Sequence, residues 1–139
     1  MAKAKEKKSK TYEAKVKILA TPFADMKAGQ RMAIGTPELI RKLVAKIPKG
    51  QVSTLKDLRQ QLAKDLGAEV ACPVTTSMYL RIAVEEAFHS VPTESLVKDF
   101  PFWRAIDPAS PLFKKLDATV QDFILKMQNQ DKRGGSTAA

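Results

Sequence analysis

A chain with one cysteine and one histidine invites a search for a thiolate and its base. Cys72 stands just ahead of a stretch that reads as a helix, where backbone N–H groups favour a thiolate, and His89 follows about a helix length later. That spacing sets the imidazole at the far end of the helix from the thiol. An isolated cysteine is ordinarily a small buried hydrophobe, so thiol catalysis is not expected. One cysteine forms no internal disulfide and one histidine builds no conventional zinc site, so neither a metal nor a cofactor is expected.

Hydrogen-bond donors offer different chemistry. Thr75, Thr76, Ser77 and Arg81 fall on the first turns of the same helix, and Lys56 and Arg59 lie on the helix before it. Side chains of these types meet phosphates and base edges, although Thr and Ser also serve as helix caps and a surface arginine is ordinary. A third group is the aromatic run Phe100-Pro101-Phe102-Trp103-Arg104. Phe102, Trp103 and Arg104 can line a pocket that stacks on a base, or the two rings can be core packing.

The elements that must position these groups are read from apolar spacing and caps. Tyr12, Ala14, Val16 and Ile18 alternate with charged residues, the pattern of a half-buried strand over Tyr12 to Leu19, and a loop through Pro22, Gly29 and Gly35 follows. Thr36 then caps a helix with Pro37 in its first position and Leu39, Ile40, Leu43, Val44 and Ile47 on one face. Pro48 and Gly50 end it. Thr54, with Asp57 three residues on, opens a second helix carrying Leu55, Leu58, Leu62 and Leu66 and closing at Gly67. A third helix runs from Thr75-Thr76 to about Phe88, so the second and third make a helix-turn-helix candidate. The aromatic run reads as a strand or an ordered loop, and Asp107-Pro108 and Ser110-Pro111 mark turns. Leu116, Val120, Phe123, Ile124 and Met127 describe a final amphipathic helix.

Hydrophobic residues make up 44% of the 139 and aromatics only 6%, which suits a helical core of Leu, Ile, Val and Ala. No segment approaches the roughly 18 to 20 apolar residues of a membrane span, and the N-terminus has no signal-peptide pattern, so a cytoplasmic protein is expected. The net charge of +9 is concentrated at the ends, since residues 1 to 17 carry +5 and residues 130 to 139 carry +1. The division expected is a disordered basic arm (1–11), a short strand and loop (12–35), a helical domain (36–129) and a flexible tail (130–139). A lysine-rich arm beside a mildly basic domain fits a polyanionic partner, or serves as a solvated tail.

Three segments, in order, resemble the C-terminal DNA-binding domain of the alkylguanine-DNA alkyltransferases. Ile47-Pro48-Lys49-Gly50-Gln51-Val52-Ser53-Thr54-Leu55-Lys56-Asp57-Leu58 is similar to the family's Ile-Pro-x-Gly-x-Val-x-[Ser/Thr]-Tyr entry to its helix-turn-helix. Arg81-Ile82-Ala83-Val84-Glu85-Glu86-Ala87 resembles the recognition helix Arg-Ala-Val-Gly-x-Ala. Pro101-Phe102-Trp103-Arg104-Ala105-Ile106 stands where the family has Pro-Cys-His-Arg-Val. The resemblance, over roughly residues 37 to 127, implies a mainly α fold with minor β of winged helix-turn-helix type. It also implies double-stranded DNA as partner and Thr75, Thr76, Ser77, Arg81, Lys56 and Arg59 as its contacts.

The departures fall on the chemistry. The family's alkyl-accepting cysteine and its histidine base are Phe102 and Trp103 here, and neither a benzyl group nor an indole can attack an alkyl carbon or take up a thiol proton. Alkyl transfer by that mechanism is excluded. The family's base-flipping tyrosine aligns with Leu55, and its intercalating arginine aligns with Ile82, one residue and so about 100° of helix from Arg81. The expectation is a non-catalytic, alkyltransferase-like DNA-binding protein with a candidate role in damage recognition and DNA repair. A winged-helix regulator or architectural protein without damage specificity, and a protein-interaction module with an acidic partner, are the alternatives.

Overall fold

Caps written into the sequence start the principal helices. In the computed structural model, which describes residues 12 to 138, Thr36 Oγ1 accepts the Leu39 N–H at 3.0 Å and Pro37 occupies the first turn of α1 (Pro37–Ala45). A reciprocal capping box opens α2 (Leu55–Asp65). Asp57 N donates to Thr54 Oγ1 and Thr54 N to Asp57 Oδ2, each at 3.1 Å. Gly67 follows α2 with φ at +70°, a conformation costly for a residue with a Cβ.

The third helix, α3 (Pro73–Ser90), starts two residues before the expected Thr75. Proline at its first position is compatible with a helix start, and Cys72 is the cap, its Sγ accepting the Thr75 N–H at 3.5 Å. Three further elements are absent from the sequence reading or different in kind. The polar stretch after Pro92 is α4 (Thr93–Asp99), and the aromatic run is a 3-10 turn over Phe102–Ala105 in place of a strand or loop. Ser110 and Pro111, read as a turn, cap and begin α5 (Pro111–Lys115).

The last helix, α6 (Ala118–Ala138), runs through the residues from 130 onward that were expected to form a flexible tail. Its side chains at 128 and 131 explain why. Gln128 Nε2 donates to the Trp103 and Ile106 carbonyls at 2.7 and 2.8 Å, and Asp131 is buried against Arg104 and Trp103. The proposed basic arm, residues 1 to 11, lies outside the described residues.

A three-stranded sheet of order β1-β2-β3 accompanies the helices, making the protein mainly α with minor β. β1 (Lys15–Ile18) and β2 (Arg31–Ile34) pair antiparallel from Lys15↔Ile34 to Ile18↔Arg31, and β2 runs parallel to β3 (Val70–Ala71). The expected strand is therefore present but shorter, and it is not half-buried. All four β1 residues are exposed, because burial falls on β2, where Met32 and Ala33 are covered.

The core is built where α1, α2, α3 and the 3-10 turn meet. Ile40, Val44, Leu62, Leu80, Val84 and Ile124 are almost fully buried, and the rings of Phe102 and Trp103 have no exposed surface. Phe123 of α6 packs edge-on against Trp103 with ring centroids 5.8 Å apart. Among the described residues no helix is long and apolar enough to cross a membrane, and no group of three His, Cys, Asp or Glu side chains could hold a metal ion.

Candidate nucleic-acid interface

Helix phase divides the expected contact residues. α3 buries Thr76, Leu80, Ala83, Val84 and Ala87 toward α1 and α2, so positions one helical step away face outward. Thr76 is 1% exposed, and its hydroxyl donates to the Cys72 carbonyl at 2.6 Å, which removes it from any interface. Thr75 is half-buried, and its Oγ1 is covered with no hydrogen-bond partner. Ser77 is half-buried and Arg81 exposed; Arg81 Nε lies 3.8 Å from Glu85 Oε2, a loose i,i+4 pair that leaves the guanidinium open to a competing anion. Ile82, the residue aligned with the intercalating arginine, is half-buried, so Arg81 is the outward-facing side chain of the two.

On α2, Lys56 is exposed but Arg59 is committed to the fold. Its Nε donates to the Ala71 carbonyl at 2.9 Å and its two Nη atoms to Asp25 at 3.0 and 2.8 Å. The guanidinium holds the Asp25 carboxyl below its usual range, chiefly through those hydrogen bonds. Arg59, expected as a DNA contact, thus ties the loop before β2 to α2 and β3.

The candidate pocket residues Phe102, Trp103 and Arg104 are likewise interior. Trp103 Nε1 donates to Asp131 Oδ2 at 2.9 Å, and Arg104 donates to the same carboxylate at 2.8 and 3.3 Å. Arg104 also reaches the Ile47 carbonyl at 3.2 Å, while its own carbonyl accepts the Ser53 N–H at 2.7 Å. The first and third motif segments are therefore joined through Arg104. Burial by itself would push the Asp131 carboxyl up, but hydrogen bonds from Arg104 and Trp103, the Arg104 charge and the Gly50 N–H outweigh it and hold the carboxyl below its usual range.

Cys72 is buried and capping, and His89 is exposed at the other end of α3 with its ring edge-on to Phe88. No nucleophile and base come together there. What the fold does bring to the outer side of α3 is α5. Val74, Met78 and Leu112 line a groove of about 440 Å³ together with Pro73, Ser77, Arg81 and Lys115. Val74 and Met78 remain 56% and 46% exposed, so the groove presents apolar surface to solvent beside its two cations. Sequence reasoning missed Leu112 and Lys115. Their signal was Ser110-Pro111 ahead of an apolar pair, the same cap-and-proline start that marks Thr36-Pro37.

Compared with protein-family models, curated proteins and solved structures, the chain matches none.

Proposed function

We propose that this protein is a non-catalytic DNA-binding protein of alkyltransferase-like type that meets duplex DNA with the outer face of α3. The observation that carries this reading is the row of exposed Val74, Met78 and Arg81 with half-buried Ser77 on the first half of a long helix, with α2 just before it in the chain. Donors near the start of the second helix of a helix-turn-helix are placed to reach phosphates and base edges. Lys56 on α2 adds a backbone contact, which positions a duplex without reading its sequence. Lysines of the N-terminal arm add affinity that does not depend on sequence.

Supporting the non-catalytic half of the reading, Phe102 and Trp103 stand in place of the family's nucleophile and base, and both are sealed in the core. Their burial also favours the version without damage specificity. A base flipped toward this segment would have to displace two fully packed rings, on top of the few kcal/mol that extrusion costs.

A salt titration on three matched duplexes (plain, mismatched and alkylguanine-containing) tests the proposal. Steep weakening with salt, equal on all three, is expected. Salt-independent binding or no binding would count against DNA as the partner, and tighter binding to the alkylated duplex would restore the damage-sensing reading.

A further inference from the structure

We infer that the groove between α3 and α5 is a seat for one strand of the DNA backbone, with Lys115 and Arg81 gripping phosphates while Val74 and Met78 support the sugars. The inference rests on the DNA-binding reading and adds to it a second element, contributed by a part of the chain outside the helix pair.

Two features of the groove select this ligand. Its ionisable lining groups are Arg81 and Lys115, which face an occupant with positive charge only. Glu85, the acidic partner of Arg81 at 3.8 Å, sits one turn further along α3 and does not line the groove. A phosphodiester strand combines anionic phosphates with weakly polar sugars, and the groove combines the cations Arg81 and Lys115 with the apolar side chains of Val74, Met78 and Leu112. Lysine suits this lining because it offers a point charge that follows a phosphate without demanding one orientation. The 440 Å³ volume is of small-ligand size, enough for a short length of strand and too small for a folded domain.

Lys115 is held where the fold needs it. Ser110 caps α5, with its hydroxyl accepting the Phe113 N–H, and Leu112 is buried beneath the groove. Gln121 of α6 donates to the carbonyls of Phe113 and Leu116, both at 2.9 Å, which anchors the residues on each side of Lys115. The ammonium end is exposed and free to turn toward a ligand.

The experiment measures duplex binding of the full chain by fluorescence anisotropy at four salt concentrations, for wild type, Lys115→Gln, Met78→Glu and Lys64→Gln. Lys64, on the last turn of α2, controls for loss of one positive charge. Lys115→Gln should weaken binding several-fold on every duplex and flatten the slope of log affinity against log salt by about 0.9, the share of one phosphate. Met78→Glu, which sets a carboxylate among the lining side chains, should weaken it further, with thermal melting unchanged because the side chain is already half exposed. Lys64→Gln should leave the slope near the wild-type value.

Equal effects of Lys64→Gln and Lys115→Gln, or no effect of either on a wild type that binds DNA steeply with salt, overturn the groove assignment and leave the DNA-binding reading standing. A wild type that ignores duplex DNA overturns both. Capture of a poly-glutamate peptide in preference to DNA, lost in Lys115→Gln, overturns the ligand class and makes the groove a site for an acidic protein segment.

Discussion

Arg104 Nε lies 2.8 Å from Asp131 Oδ2, and the two side chains, each about nine-tenths buried, join the 3-10 turn to the C-terminal helix across the core. A buried ion pair adds little over a well-packed apolar pair, but breaking it from one side strands a charge. Asp131→Asn should therefore destabilise the protein by about 3 to 5 kcal/mol, read as a lowered denaturant midpoint. An unchanged midpoint would mean that the tail end of α6 is dispensable.

The same carboxylate sets an acid limb. Because its pKa in the folded state is depressed below the ordinary 3.8, the stability it contributes is present above that value and fades as pH falls through the folded pKa. Asp25, depressed by Arg59, acts in the same direction. Melting temperature should fall below about pH 4, and the Asp131→Asn variant should show a shallower fall than wild type. Parallel acid limbs in the two proteins would assign the transition to other carboxylates.

Arg59→Ala should lower the melting temperature by a few degrees while leaving the salt slope of DNA binding where it was. The guanidinium is engaged through all three of its nitrogens by Asp25 and the Ala71 carbonyl, which holds it within the fold. Loss of that carbonyl bond alone is worth about 1 kcal/mol. A flattened salt slope with unaltered melting would return Arg59 to the interface.

Intact-mass measurement after incubation with alkylguanine-containing DNA should show unmodified protein. Phe102 and Trp103 cannot accept an alkyl group, and the buried Cys72 thiol is engaged as the cap of α3. An adduct mapping to Cys72 would overturn this expectation.

How far the sequence could be read depended on whether a signal was local. Thr36-Pro37 and Thr54-Asp57 declare their helices within four residues, and both caps form as their pattern predicts. β1 shows the limit of periodicity: alternation placed the strand, but neither of its sides is covered, because the burial falls on β2. The same holds for the contact residues. Thr76 and Ser77 are interchangeable as donors, and only the packing of α3 against α1 buries the first and leaves the second accessible. The reach of α6 past residue 130 was hidden for a related reason, since Gly134 and Gly135 look like a chain end while the contact that holds Asp131 lies 27 residues away at Arg104.

Arg81 and Trp103 separate the proposed binding role from packing, because the first is exposed and the second is buried. The Arg81 side chain is 45% exposed and tied only loosely to Glu85, so truncation should cost the fold little. If the guanidinium makes a bidentate contact with a base, Arg81→Ala should weaken duplex binding by about 1 to 3 kcal/mol, and by less if it meets a single exposed phosphate. Trp103 has no exposed surface, touches Phe102 and Phe123 edge-on, and donates to Asp131. Trp103→Ala should cost about 3 to 5 kcal/mol of stability through the cavity it opens. It also leaves Asp131 short of one donor, which adds to the loss. Where Trp103→Ala remains folded, its DNA affinity should match wild type. Thermal melts and anisotropy titrations on the two variants read these outcomes separately. Arg81→Ala binding as tightly as wild type, with a folded Trp103→Ala losing affinity for alkylated duplex alone, would move the functional face from α3 to the aromatic segment and make the protein a lesion sensor.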